Sequence, residues 1–470
     1  MIKRVLMVQP WIHDFSTYDL WIQPLGLLYL AGVLEEQGVE VDYIDCLNNR
    51  YDVRPDGRGK FVKTELAVPE VLKGIKRKYG RFGMTPEDFR SRLSSITKPD
   101  AILVTSGMTY WYPGIQEIIR EIRKFFPDVR TILGGIYATL MPEHARQHSG
   151  ADQVISGQYE NEIVELITGV PGRTYSSLDE IPYPAWHLTG EEKYRVIMTS
   201  RGCPYRCTFC ASDILNAERF NLRKPEEVIQ EIETYYNSNI TNIVFYDDAL
   251  LIRHKHHLEP ILHAVLSRNI KVSFHTPNGL NAREVDEPLA ELMFQASFHT
   301  IRLSLESVNP EIQKVQSNNK VTNRLFVNAI QNLYRAGYGP GDIECYLILG
   351  LPGQTPKDVR ESLSFVHDLG VIARLAVFSP IPGTAEAEAA RQIIGDAFLH
   401  EPLLQNHSTF PLKDDSMSEE ELQSLKLKCN ANNDSIRKPL SNLEGHQANR
   451  PGVDPVHDMH ALQTHPGNRP

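Results

Sequence analysis

Three of the chain's six cysteines fall within eight residues, in the stretch "TSRGCPYRCTFCASD" from Thr199 to Asp213. Cys203, Cys207 and Cys210 leave the spacing C-x3-C-x2-C. Three thiolates so arranged can wrap one face of a cuboidal iron–sulfur cluster, Pro204 and Tyr205 widening the first gap. A structural zinc site uses four Cys or His ligands. The next histidines, His254, His256 and His257, come only after a whole strand–helix–strand unit. An electron-transfer cluster closed by protein also uses four cysteines. Three leave one iron without a protein ligand, and an open iron can bind a substrate or cofactor. Cys46, Cys345 and Cys429 are isolated, which argues against a disulfide framework and for metal at the cluster.

The elements around this loop decide where it stands. "YRVIMTSRG" reads as a strand running straight into it. Helices and strands then alternate: "PEEVIQEIETYY", "NIVFYDD", "HLEPILHAVLSRN", "KVSFHTP", "PLAELMFQA", "TIRLSLES", "TNRLFVNAIQNLYRAG", "IECYLILGLPG", "TPKDVRESLSFVHDLG" and "ARLAVFSPIPG". The last helix carries Thr355 as N-cap, Pro356 at N1, Asp358 in its first turn and Gly370 beyond its end. Six such repeats predict a partial, open (β/α)6 barrel, short of the eight of a full one. Sites in these folds lie at strand C-terminal ends, where the cysteine loop follows the first strand.

Ahead of the barrel, "RVLMVQP", "VEVDYID", "AILVTSG", "RTILGG" and "ADQVISG" read as five short strands. The helix "PLGLLYLAGVLEEQG" sets Leu27, Leu30, Ala31 and Leu34 on one face and stops at Gly38. "GIQEIIREIRKFF" repeats Ile115, Ile118, Ile119, Ile122 and Phe126 at helical spacing. The fold class is therefore α/β, with an N-terminal doubly wound parallel sheet whose ligand crevice lies at the strand C-terminal ends. Ser106 and Gly107, Gly134 and Gly135, and Ser156 and Gly157 stand there, where a flat cofactor would be gripped. Between the second and third strands an insertion from Arg50 to Lys98 holds thirteen Lys or Arg against six Asp or Glu, a solvated basic face.

These readings divide the chain into an α/β domain at 1–170, a proline-bearing linker at 171–192, the barrel at 193–390 and a helical extension at 391–436. A tail at 437–470, rich in Pro, His, Asn and Gly, is expected to be disordered. The net charge of -10 argues against nucleic acid as a partner, since a duplex-binding surface needs a basic excess. No apolar run approaches the ~18 residues of a spanning helix, so no membrane is expected. The N-terminus reads as a buried strand rather than a signal peptide, and a cytoplasmic location follows.

With an aromatic (Phe209) before its last cysteine, after the first strand of a βα barrel, the C-x3-C-x-Φ-C loop resembles that of the radical S-adenosylmethionine (radical SAM) enzymes. The resemblance implies a [4Fe-4S] cluster on Cys203, Cys207 and Cys210, with the amino and carboxylate groups of S-adenosylmethionine on the open iron. One-electron reduction then yields a 5′-deoxyadenosyl radical that abstracts a substrate hydrogen. Further matches imply cofactor contacts. "FYDDALL" puts Asp247 and Asp248 where the family has a Gly-Gly-Glu-like turn. "RLSLES" puts Ser304 and Glu306 at the ribose- and methionine-contacting position, on one strand face. "LILGLPGQT" puts Gly350 and Gly353 near adenine, with Gln354 where Glu is common. Arg223 is placed to meet the cofactor carboxylate.

The N-terminal domain, with "PLGLLYLAGVLEEQG", "GGIYATLMPEHA", "KYGRFGM" and "IPYPAWHL", resembles the cobalamin-binding-domain subfamily. Cobalamin is implied, on Ser106, Gly107, Gly134, Gly135, Ser156 and Gly157. The Asp-x-His-x-x-Gly loop that supplies a lower histidine ligand in some members is absent; "WIHDF" has His13 and Asp14 adjacent and reversed. The implied reaction is methylation of an unactivated carbon in a small-molecule or natural-product substrate, with an electron donor such as flavodoxin or ferredoxin. Radical cyclisation, oxidation or rearrangement without methyl transfer is the alternative, and a non-catalytic metal-binding module a more distant one. A methylthiotransferase is disfavoured, since that family carries a second cysteine set near its N-terminus.

Overall fold

The apolar runs of the N-terminal third become β1 (Arg4–Gln9), β2 (Glu40–Asp45), β3 (Ala101–Val104), β4 (Arg130–Leu133) and β5 (Gln153–Val154). They are seen in a computed structural model that describes residues 3–190, 192–217, 220–412 and 417–443. All pairs are parallel, in the order β5-β4-β3-β1-β2. The chain leaves β1 in one direction for β2 and returns on its other side with β3, so the topological switch point lies between β1 and β3. Helix α1 (Leu25–Glu36) ends before Gly38, whose φ of 77° takes the left-handed turn. Helix α2 (Tyr112–Phe125) buries Ile115, Ile118, Ile119 and Ile122, the face its spacing predicts.

The basic insertion has structure of its own. Strands Ile12–Asp14, Gly80–Phe82 and Lys63–Glu65 form a small antiparallel sheet, and Arg50–Tyr51 pairs with Lys60–Phe61 as a hairpin. Helix Pro86–Ser95 starts at Thr85, whose hydroxyl accepts from the Asp88 amide at 3.1 Å.

The second sheet is the open barrel: β6 (Tyr194–Ile197), β7 (Asn242–Phe245), β8 (Ser273–His275), β9 (Phe298–Glu306), β10 (Ile343–Leu349) and β11 (Ile372–Val377) in sequential parallel order. The crossovers include α3 (Pro225–Asn237), α4 (Leu258–Ser267), α5 (Glu287–Gln295), α6 (Pro310–Ser317), α7 (Asn323–Ala336) and α8 (Pro356–Asp368). Thr355 and Asp358 close a reciprocal capping box on α8.

Several joints tie the domains together, two of them outside the cysteine loop. At one, Trp21 leaves the N-terminal domain and is wholly buried beside the barrel. Its ring stacks on His275 at 4.7 Å, Arg58 covers it at 4.4 Å, and its carbonyl accepts from Tyr246. At the other, residues 401–409 cross back over the N-terminal domain. Asn406 donates to Asp14 at 3.0 Å, Tyr110 bonds His407 at 2.9 Å, Tyr112 donates to Glu401 at 3.1 Å, and Ser379 at the end of β11 donates to the Gln405 carbonyl at 2.6 Å. Helix α9 (Glu419–Leu443) then covers β11, the Asn433 amide group bonding both backbone groups of Ala373 at 2.9 Å. Of the tail expected at 437–470, residues 444–470 lie outside the described residues. No helix among the described residues is long and apolar enough to cross a membrane.

Candidate functional site

Cys203, Cys207 and Cys210 sit in the loop after β6, all three with free thiols. Neighbouring elements fix the loop. The Thr208 amide donates to the Gln316 carbonyl at the end of α6 at 2.9 Å, and the Thr208 hydroxyl to Glu386 at 2.7 Å. The Glu386 amide returns a bond to the Thr208 carbonyl at 3.1 Å. Phe209 turns into an apolar cluster with Ile348, Leu351, Phe378 and Leu412, at the ends of β10 and β11. The aromatic between the last two cysteines is thus an anchor.

Burial pushes all three thiols up, Cys207 to about 11. Lys320 opposes this at each, while the neighbouring thiols and Glu306 reinforce it at Cys207. Thiols this close, which repel one another as thiolates, need a cationic centre among them. A metal cluster supplies one, so the donor set fits the implied [4Fe-4S] group. Lys320 was not foreseen from the sequence. It is more than a hundred residues beyond the cysteines, and the fold alone brings it there.

The other expected cofactor contacts divide. Ser304 and Glu306 lie at the same strand end: the Glu306 carboxyl is buried and pairs with Lys320 at 3.6 Å. A register shift against β10 falls between these two residues, and Glu306 takes a φ of 69°. Such a bulge re-aims a side chain at the end of a strand. Burial raises the Glu306 carboxyl, and Lys320 opposes the rise. Gly350 and Gly353 adopt φ of 87° and 75° with open space where a Cβ would be. They line a small cavity with Pro352, Gln354, Ile393 and Leu412. Gln354 holds this loop from within, accepting from the Gly350 amide at 2.7 Å and donating to the Ile348 carbonyl at 2.9 Å.

Asp247 is turned inward. It accepts from the Thr199 amide and hydroxyl at 3.1 and 2.7 Å and from the Ser200 hydroxyl at 2.6 Å. Its carboxylate therefore fastens the start of the cysteine loop to the end of β7. Asp248 is exposed and accepts from Ser212 at 2.6 Å and Asn216 at 3.1 Å, just past Cys210. Arg223 is buried rather than presented to a ligand. It pairs with Glu231 on α3 and donates to the Met198 carbonyl at 3.2 Å.

On the N-terminal domain, Ser106 and Gly107 follow β3 at the switch point, and Gly134 and Gly135 follow β4. The Ser106 hydroxyl donates to the Gly134 carbonyl at 2.6 Å, and Ser156 to the Ala138 carbonyl at 2.8 Å. Both hydroxyls thus shape the edge. A Cβ on Gly135, where φ is 91°, would stand 2.5 Å from the Ser106 carbonyl oxygen; at Gly107 it would meet the Trp111 ring at 2.8 Å. A Cβ on Gly157 would meet nothing within 4 Å. Met108 and Ile136 stand exposed on this edge. A low, glycine-built shelf bearing apolar side chains fits the face of a flat macrocycle. His13 is elsewhere, buried under α2, its Nε2 2.9 Å from Glu117.

The two faces meet. Arg201, two residues before Cys203, pairs with Glu160 at 2.7 Å, and Gln158 donates to Asn216 at 3.4 Å. The shelf therefore opens toward the cysteine loop.

Comparison with known proteins agrees with this geometry. Residues 197–366 match the model of the radical SAM superfamily, and residues 73–167 that of the B12 binding domain. An uncharacterised methyltransferase of Pyrococcus horikoshii is 25% identical, the alignment covering 77% of each chain. Cytidylyl-2-hydroxyethylphosphonate methyltransferase of Streptomyces wedmorensis is 23% identical, over 84% of this chain and 83% of that one. Anaerobic magnesium-protoporphyrin IX monomethyl ester cyclase of Rubrivivax gelatinosus is 24% identical, over 81% and 68%. Among solved structures, the radical S-adenosylmethionine methyltransferase TsrM of Kitasatospora setae, with cobalamin and a [4Fe-4S] cluster bound, superposes with a TM-score of 0.62 at 17% identity. That match covers 85% of this chain and 79% of TsrM. A cysteine loop on an open barrel, facing a glycine-built edge, thus has both family matches behind it: the chain carries a radical SAM domain and a B12 binding domain, which imply a [4Fe-4S] cluster, S-adenosylmethionine and cobalamin as its cofactors.

Proposed function

We propose that the protein methylates an unactivated carbon of a small-molecule substrate. When bound, the cluster and S-adenosylmethionine supply a 5′-deoxyadenosyl radical and cobalamin supplies a transferable methyl group. The observation that carries the reading is the apposition of the cysteine loop and the shelf through Arg201–Glu160 and Gln158–Asn216. A substrate carbon held between the two faces would lie between the groups they bind.

The chain's own residues do the rest. Cys203, Cys207 and Cys210 would hold the cluster, and Asp247 fixes the loop that carries them. Ser304 and Glu306 orient the ribose and methionine portions of S-adenosylmethionine, and the loop from Gly350 to Gly353 takes the adenine. Asp248, exposed beside Cys210, is available to the cofactor's amino group. Ser106, Gly107, Gly134, Gly135, Ser156 and Gly157 form the cobalamin shelf. Trp21, between Arg58 and His275, and the 401–409 crossing close the domain joints against water. An external electron donor of the flavodoxin or ferredoxin type supplies the electron. The methyltransferases among the relatives support the reading.

The relative that is a cyclase favours a second reading, radical chemistry without methyl transfer. One experiment separates the two. Anaerobically reconstituted protein is reduced with candidate substrates and S-adenosylmethionine carrying a deuterated methyl group. Methyl transfer places the label in the product, together with 5′-deoxyadenosine. An altered product without label establishes the second reading, and no 5′-deoxyadenosine at all defeats both.

A further inference from the structure

The turn that carries Lys320 is strained and fastened at every step. Asn318 and Asn319 are consecutive left-handed residues, with φ of 49° and 52°. Asparagine tolerates that region better than most residues, yet two in succession persist only when the surroundings over-determine them. Here they do. The Asn319 amide donates to the Gln313 carbonyl and the Lys320 amide to the Ser317 carbonyl, both at 2.9 Å. The Arg283 guanidinium clasps both following carbonyls, that of Asn319 at 2.5 Å and that of Lys320 at 2.9 Å. Gln316, just before the turn, holds Thr208 of the cysteine loop. The outcome is a lysine side chain only 15% exposed, its Nζ 3.6 Å from Glu306.

Lys320 is near enough to favour the thiolate at all three cysteines. Arg206 acts in the same sense on Cys203 and is itself paired with Asp213 at 3.1 Å. Asp248 opposes at Cys203 and Cys210, and Glu306 at Cys207. A [4Fe-4S]2+ core with three thiolates carries a net charge of about -1, and about -2 after taking one electron. A fixed cation favours the more negative state, and more strongly in a buried site than in water. An ion pair serving only the fold could form with Glu306 without a strained turn reaching toward the cysteines.

We propose that Lys320 is a positioning residue for charge, held by the strained 318–320 turn beside the three cysteines so that it raises the reduction potential of the cluster. The inference rests on the cluster reading above. The electron comes from the external donor, and no bond is made or broken.

The test uses the full chain, reconstituted anaerobically with iron and sulfide and without S-adenosylmethionine. Bound iron and sulfide are counted, and the reduced cluster is followed by electron paramagnetic resonance through a dithionite titration. In Lys320→Gln, the ratio of reduced to oxidised cluster at a fixed potential is expected to fall about tenfold, a shift of about 59 mV to more negative values for one electron. Lys320→Arg keeps the wild-type value. Glu306→Gln moves it the opposite way. Lys357→Gln, at an exposed lysine paired with Glu361, leaves it in place. A loaded Lys320→Gln protein with wild-type potential overturns the inference, as does an equal shift in Lys357→Gln. Should Lys320→Gln take up no cluster, Glu306→Gln decides, and an unmoved potential there overturns the inference. A wild-type chain that takes up no cluster overturns the functional reading and this inference with it; an intact cluster with unmoved potential overturns this inference alone.

Discussion

Arg201 reaches across the domain boundary to Glu160, 2.7 Å away and two residues ahead of the first cluster cysteine. Both side chains are about nine-tenths buried, so removing one partner leaves the other charge buried and uncompensated. Arg201→Gln is expected to cost about 3 kcal/mol. It also loosens the shelf from the cysteine loop. Thermal unfolding reads the first effect. Retention of hydroxocobalamin through desalting reads the second, and falls relative to wild type.

Alanine at Cys203, Cys207 or Cys210 is expected to abolish 5′-deoxyadenosine formation and the visible absorption of the reconstituted cluster. Cys46, Cys345 and Cys429 are buried in the apolar cores. Alanine at those positions removes some packing and leaves the cluster in place. Absorbance after reconstitution, with iron counted per chain, distinguishes the two sets.

His13 Nε2 stands 2.9 Å from Glu117, and burial holds its basicity below the usual histidine value although Glu117 opposes the shift. A ring held in this way is not offered to cobalt. His13→Ala is therefore expected to retain hydroxocobalamin as wild type does, although it unfolds at lower temperature. Loss of retention with the fold intact would identify His13 as a ligand.

The partner carboxylate sets a pH window. Burial alone would raise Glu117, but hydrogen bonds from His13 and Arg81 overcome it and hold the carboxyl at about 2. The folded value thus lies below the ordinary 4.5. The stabilisation is fully present above pH ~4.5 and is lost as pH falls toward ~2, amounting to about 3 kcal/mol in all. Glu344, between Arg302 and Arg374, behaves alike and is also held at about 2. Denaturant unfolding between neutral and acid pH should steepen through this window, and less so in Glu117→Gln.

Trp21→Ala is expected to cost about 4 kcal/mol, the usual range for removing a buried aromatic. It takes away the ring between Arg58 and His275 and so opens the joint between domain and barrel. A lowered denaturation midpoint checks this.

Local signals carried most of the architecture into view. The strand runs, the Gly38 stop and the Thr355 N-cap are properties of a few adjacent residues, and each reappears in the structure. The cysteine loop was legible because its ligands are spaced along one short segment. Arg223 was not, since only the fold shows Glu231 already holding it. Asp247 likewise reads as a ligand in sequence and as a fastener once Thr199 and Ser200 are seen beside it. Lys320 and Trp21 reach their partners through tertiary packing, which no spacing rule encodes. The antiparallel sheet that joins Ile12–Asp14 to the basic insertion was not legible because its strands are only three residues long and too short to show a period.

The bond between Asp14 and Asn406 joins positions 392 residues apart. Synthesis proceeds from the N-terminus and domains fold as units while it does. Asp14 therefore waits through the translation of both domains before Asn406 exists. Until then the crossing that spans them is missing, so the 401–409 joint is made after both domains have been synthesised.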